Sequence, residues 1–170
     1  MANIIARSLP DEQEKEYTLE LLVQQLAENG HLRAAEPLLQ TFFKGKEGFA
    51  KCAVVKGLAL AGNYDQAEVF AQSISEQELR VRALTQLAEA LHSVDAARSA
   101  QLLVESEVLV SQLGDPAKAR CQYNLVEALA RSREFTRAET LARSMPINEL
   151  QPEALSVVAL ALANAGDLQA

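Results

Sequence analysis

The stretch AGNYDQAE (61–68) has the layout of an earlier one, NGHLRAAE (29–36). Each runs Gly, a polar residue, Leu or Tyr, two more residues, then Ala-Glu. SREFTRAE (132–139) repeats the layout with Arg133 in the Gly place, and AGDLQA (165–170) begins it again. A fourth match is weaker: VDAARSAQ (94–101) puts Asp95 at the Gly place and Ala100 at the Ala place. The anchors are then Gly30, Gly62, Asp95, Arg133 and Gly166, at spacings of 32, 33, 38 and 33 residues. A self-similar period of this length is the mark of a repeat architecture.

The flanking columns test this register. Four places before the anchors stand Leu26, Leu58, Leu91, Leu129 and Leu162; eight places before stand Leu22, Val54, Leu87, Leu125 and Val158. Positions i and i+4 share one helix face, so these columns are the buried stripe of a first helix. Just before the Leu column stand Gly57, Ala90, Ala128 and Ala161, with Gln25 the exception. Small residues there let a second helix approach closely. The anchor ends the first helix, where a left-handed cap suits Gly, and Asn or Asp after it starts the second. Five places after the anchors, Ala35, Ala67, Ala100 and Ala138 mark the expected tight crossing within each hairpin.

The reading is therefore an α-hairpin repeated four times. First helices are expected near 12–28, 47–61, 76–92, 116–131 and 149–164. Second helices are expected near 32–43, 64–74, 95–112 and 135–145, the third of them longer by a turn or more. The repeats span 12–43, 47–74, 76–112 and 116–145, with partial repeats at 2–9 and 149–170, in one domain over 1–170. The phrase IARSLP (5–10) returns as FAQSIS (70–75) and LARSMP (141–146). Ala6 falls where Ala142 stands in its own repeat, so the period runs off the front of the chain, and AGDLQA runs off the back. The expectation is a piece of a longer array; the rival is a short protein whose bare ends are covered by self-association, since arrays need polar capping repeats.

Composition agrees. Of 170 residues 49% are hydrophobic, but only 5% are aromatic and none is Trp, so Leu, Ala and Val must build the core. The few Gly (7) and Pro (5) leave little material for the turns of an all-β fold. The net charge is −7, with Lys and Arg scattered among acids, which argues against a nucleic-acid partner. No apolar run approaches the roughly 20 residues that span a bilayer, and MANIIARSLPDEQEKE has no basic, then apolar, leader pattern. No membrane association is expected. Cys52 and Cys121 are too far apart in sequence to suggest a metal site, and read as reduced core thiols of a cytoplasmic protein.

The run GNYDQA (62–67) resembles the turn signature of tetratricopeptide repeats, and NGHLRAA, REFTRA and AGDLQA resemble it with substitutions. The resemblance covers essentially the whole chain. It departs from the family in the missing aromatic and Gly of the first helix, a displaced late Pro and an insertion in the third copy. More loosely, such degenerate arrays resemble the sensor or scaffold parts of large bacterial multidomain signalling proteins. The family resemblance implies an all-α fold, a right-handed α-α superhelix of antiparallel hairpins, whose first helices line a concave groove. On that basis the groove would carry Tyr17, Phe49, Arg82, Arg120 and Glu153 in one row. Glu20, Cys52, Thr85, Tyr123 and Ser156 form a second, and Gln24, Lys56, Glu89, Glu127 and Leu160 a third. The candidate partner-binding residues are Tyr17, Glu20, Gln24, Phe49, Lys56, Arg82, Glu89, Arg120, Tyr123 and Glu127.

This mixture suits a peptide or partner helix better than phosphate, with Tyr17 and Tyr123 the strongest anchors. The paired basic clamp that some members use for a C-terminal carboxylate is missing. Nothing resembles catalytic machinery. His31 and His92 stand alone, and no phosphate loop, HExxH or nucleophile spacing occurs. The acids of DEQEKE (11–16) suit a helix N-terminus. The expectation is a non-catalytic protein-interaction module without cofactor or metal; the alternative is a structural or regulatory spacer that binds little by itself.

Overall fold

A computed structural model describes residues 12–42, 47–146 and 150–167. Among them the chain is all-helical, with nine helices and no strand. These are α1 (Glu12–Glu28), α2 (Leu32–Phe42), α3 (Glu47–Leu60), α4 (Tyr64–Gln72), α5 (Gln77–Leu91), α6 (Ala96–Ser111), α7 (Ala117–Arg131), α8 (Phe135–Ser144) and α9 (Leu150–Asp167). Their ends lie within three residues of the expected bounds. The α6 helix has 16 residues against 11, 9 and 10 for α2, α4 and α8. The partial repeat expected at 2–9 lies outside the described residues.

Contacts divide the chain into two compact units at Ala83–Leu84, inside α5. In the first unit α1 packs on α2 and α3, and α3 packs on α4. Its core holds Val23, Val54, Val55, Leu58, Ile74 and Val81, all 0–1% exposed. At Gly57 α3 lies very close to α1. A Cβ there would run into the Gln24 carbonyl oxygen of α1 and lie 2.8 Å from the Ala27 Cβ. The α1–α3 contact is thus backbone against backbone, as the small-residue column implied. In the second unit α7 packs on α6, α8 and α9, and α9 also on α8. Leu84, Leu87, Leu125 and Leu129 are fully buried there.

Three turns share one mechanism. Gly30, Gly62 and Arg133 take positive φ of 75, 75 and 60°. Each donates its N–H to the carbonyl three residues back (Ala27, Ala59, Ala130), and the next residue donates to Leu26, Leu58 or Leu129. This pair of bonds satisfies the last carbonyls of the first helix. The Ala five places on is then buried: Ala35, Ala67 and Ala138 are 0–1% exposed.

The third turn corrects the assignment of Asp95 and Ala100. No left-handed residue occurs there, and the Asp95 N–H bonds to Leu91, four residues back. Asp95 is the cap of α6, its carboxylate accepting from the Arg98 N–H at 3.0 Å. The turn is therefore one residue shorter, and Ser99 takes the crossing while Ala100 is only half-buried. A hydroxyl is tolerated at the crossing because Ser99 Oγ donates to the Ala88 carbonyl at 2.7 Å.

Gly166 also departs from expectation. It lies within α9, which runs on to Asp167, and Leu162 is 45% exposed. The helical backbone continues through Gly166, which does not take the left-handed conformation of Gly30 and Gly62. The second helices α4 and α8 end alike. Arg80 donates to the carbonyls of Ile74 and Gln72, both at 2.9 Å, and Gln151 donates to those of Met145 (3.0 Å) and Arg143 (3.3 Å). In both cases a side chain six residues past the buried Ile or Met closes the helix end.

Gly57→Ala should gain helix propensity worth about 1 kcal/mol but force α1 and α3 apart. The net expected loss is about 1–3 kcal/mol in urea unfolding. Arg133→Gly should instead raise stability by about 0.5–1 kcal/mol in the same assay. It relieves a left-handed strain of about 1–2 kcal/mol against the entropy glycine adds to the unfolded chain.

Candidate functional site

In the first unit the sequence-expected residues sit on α1, α3 and α5. Tyr17 is 65% and Phe49 41% exposed; Lys56 and Arg82 are exposed, and Glu20 and Gln24 half-buried. Phe49 and Lys56 lie two helical turns apart along α3, with Cys52 between them. Cys52 does not line a surface. It is 3% exposed and its Sγ lies 3.4 Å from the Leu79 carbonyl oxygen, under the start of α5. Thr85, in the same expected row but in the other unit, is 4% exposed. The second row is therefore interrupted, because at its helical angle these two side chains turn into the core.

Burial raises the Cys52 thiol to about 11. Arg82 opposes that shift, while Glu20 and Glu76 add to it. The fold thus gathers charges from α1 and α5, together with Glu76, around one buried thiol that stays protonated at neutral pH.

In the second unit the structure brings Glu89, Tyr123 and Glu127 together and adds Arg131, which sequence reasoning did not single out. Arg131 Nη1 lies 3.1 and 3.2 Å from the two carboxylate oxygens of Glu89, and Nη2 lies 3.6 Å from Glu127 Oε1. Glu89 raises the Arg131 pKa most, ahead of Glu127. The guanidinium is 62% exposed, so this surface pairing contributes at most about 1 kcal/mol to stability. Its effect is to hold a guanidinium between α5 and α7. Burial first, then Glu127 and Glu153, raise the Tyr123 phenol, and Arg131 partly offsets them. Tyr123 therefore keeps its hydroxyl proton near neutral pH beside a face with more carboxylates than cations. Arg120, on α7, is exposed. The only sequence signal for Arg131 was its place four residues after Glu127; the Glu89 pairing needs the fold.

A separate cavity of about 560 Å³ lies at the turns of the first unit, lined by residues including His31, Arg33, Asn63 and Gln66. A smaller apolar one of about 280 Å³ adjoins it at Leu32, Val69 and Phe70. Neither is lined by any sequence-expected site residue. Among the described residues no group of three or more His, Cys, Asp or Glu is placed to hold a metal, and no helix is long and apolar enough to cross a membrane. Comparison with models of known protein families, with curated proteins and with solved structures finds no match.

The Cys52 thiol sets an alkaline limit. When unfolded it ionises near 9.0, and when folded near 11. Between these values the unfolded chain has lost a proton that the native state keeps, so stability falls as pH rises. Urea titrations across this window should show a loss of up to about 3 kcal/mol that is absent in Cys52→Ala.

Proposed function

We propose that this chain is a tetratricopeptide-like array, a right-handed superhelix of hairpins, and acts as a non-catalytic, cytoplasmic protein-interaction module. The carrying observation is the packing pattern. First helices pack directly on one another, α1 on α3 and α7 on α9, while the second helices α2, α4 and α8 each pack on their own first helix. That arrangement leaves one side of the first helices to the solvent. There stand Tyr17 and Phe49 in one unit, and Tyr123 with Glu127 and the Glu89–Arg131 pair in the other. Aromatic and Arg residues on a rigid helical face are the usual anchors of a peptide or partner domain. Around Tyr123, Glu89, Glu127 and Glu153 outnumber Arg131, which favours a segment carrying Lys or Arg over an acidic one.

The competing reading is a spacer or sensor segment that positions neighbouring domains. Selection from a displayed random-peptide library separates the two. The interaction reading expects enriched sequences whose affinity falls at least about tenfold in Tyr17→Ala with Phe49→Ala, or in Tyr123→Ala, with unchanged thermal melting. No enrichment, or enriched peptides indifferent to all three changes, leaves the spacer.

A further inference from the structure

We propose that Arg131 occupies, in the free protein, the seat of a partner's arginine, and that the Tyr123 face selects a segment whose own guanidinium displaces it. The inference rests on the interaction reading above and names the group that such a partner would present.

The members of the seat are held unequally. Glu89 stands on α5 and Glu127 on α7, and their side chains are only 30 and 31% exposed. The Arg131 side chain is 62% exposed. The two carboxylates are thus set into the surface from different helices, and the guanidinium covers them from the solvent side. Its contacts are long. Nη1 lies 3.1 and 3.2 Å from the two oxygens of Glu89, and Nη2 lies 3.6 Å from Glu127. Other arginines of the second unit meet glutamate more closely. Arg143 reaches Glu139 at 2.7 and 2.9 Å, and Arg137 reaches Glu107 at 2.8 Å. Those are the distances of fully formed charge-assisted hydrogen bonds. Arg131 is stretched between two acceptors and reaches neither at that distance.

This asymmetry makes the cation the exchangeable member. The guanidinium has only to swing into water, where its charge needs no partner, and an exposed ion pair holds it weakly. Leaving Glu89 and Glu127 uncovered is unfavourable, because two part-buried carboxylates sharing a seat repel. An incoming cation that replaces Arg131 one for one avoids that cost. The internal guanidinium is therefore a competitor that a ligand can displace.

The seat also indicates which cation fits. Two carboxylates from two helices, approached together from one side, suit a planar fork with several N–H groups, whereas an ammonium is a point donor. Tyr123 stands one turn back along α7 from Glu127 and is half-buried. Glu127 and Arg131 both act on its phenol, in opposite senses, so the ring lies among the same charges. A guanidinium stacks on such a ring better than an ammonium does. The selected group is therefore arginine in preference to lysine.

Selection from a displayed random-peptide library, run in parallel on the wild-type chain and on Arg131→Leu, tests this. The expected result is enrichment of arginine over lysine on both proteins. Fluorescein-labelled copies of the enriched peptides should bind Arg131→Leu at least about threefold more tightly than wild type, with a smaller gain in Arg131→Lys. Changing the peptide's arginine to lysine should weaken binding at least about threefold, and Glu89→Gln with Glu127→Gln at least about tenfold. Circular dichroism melting checks that each variant folds; should Arg131→Leu melt early, Arg131→Lys carries the comparison. A purely structural Arg131 predicts the opposite sign, weaker binding to Arg131→Leu. No enrichment on either protein overturns the proposal together with the interaction reading. Enriched peptides that lack arginine, or whose affinity is unchanged or lowered by replacing Arg131, overturn the proposal alone.

Discussion

Everything in this chain depends on how closely its helices can approach. At Gly57 the backbones of α1 and α3 meet with no side chain between them, and Ala35, Ala67 and Ala138 bring a methyl group to the hairpin crossings with almost no exposure. Because these crossings are so tight, the leucines beside them are squeezed into a dry core without any large aromatic residue. A chain without Trp and with 5% aromatic content could not fill wider gaps at native packing density. The small residues thus set the spacing, and the leucines supply the apolar burial.

Turn chemistry adapts to that constraint. Where Gly or a strained Arg supplies the left-handed residue, the hairpin closes through the same two backbone bonds. Where it is missing, at Val94 and Asp95, a carboxylate cap replaces it, the turn loses a residue, and Ser99 moves into the crossing with its hydroxyl satisfied by Ala88. Two chemically different solutions produce the same helix pair, since each satisfies the carbonyls and amides that helix ends leave open.

The surface residues divide by the same geometry. Tyr17 and Phe49 face outward, whereas Cys52, one turn from Phe49, faces in and is held neutral by burial. In the second unit the Glu89–Arg131–Glu127 arrangement fixes the surroundings of Tyr123 in charge as well as in shape. On the proposed interaction reading, an aromatic ring with a protonated hydroxyl, beside more carboxylates than guanidinium groups, would favour a basic or apolar segment over an anion.

The sequence by itself determined the helices, their order and bounds to within a few residues, and the small-residue crossings. It did so because those features are local or repeat in columns: helical periodicity, a left-handed anchor, and a methyl-sized residue at fixed distance from it. It misplaced Asp95 and Ala100 because a shortened turn leaves the local pattern nearly unchanged while shifting the next helix by one residue, about 100° around its axis. It also placed Cys52 and Thr85 on a surface row. A helical wheel gives the angle of a side chain but not the width of the sector its neighbours cover. Only the tertiary structure decided that width and the pairing of Arg131 with Glu89 across 42 residues of sequence. Each is set by which helix lies against which, and no single helix records that.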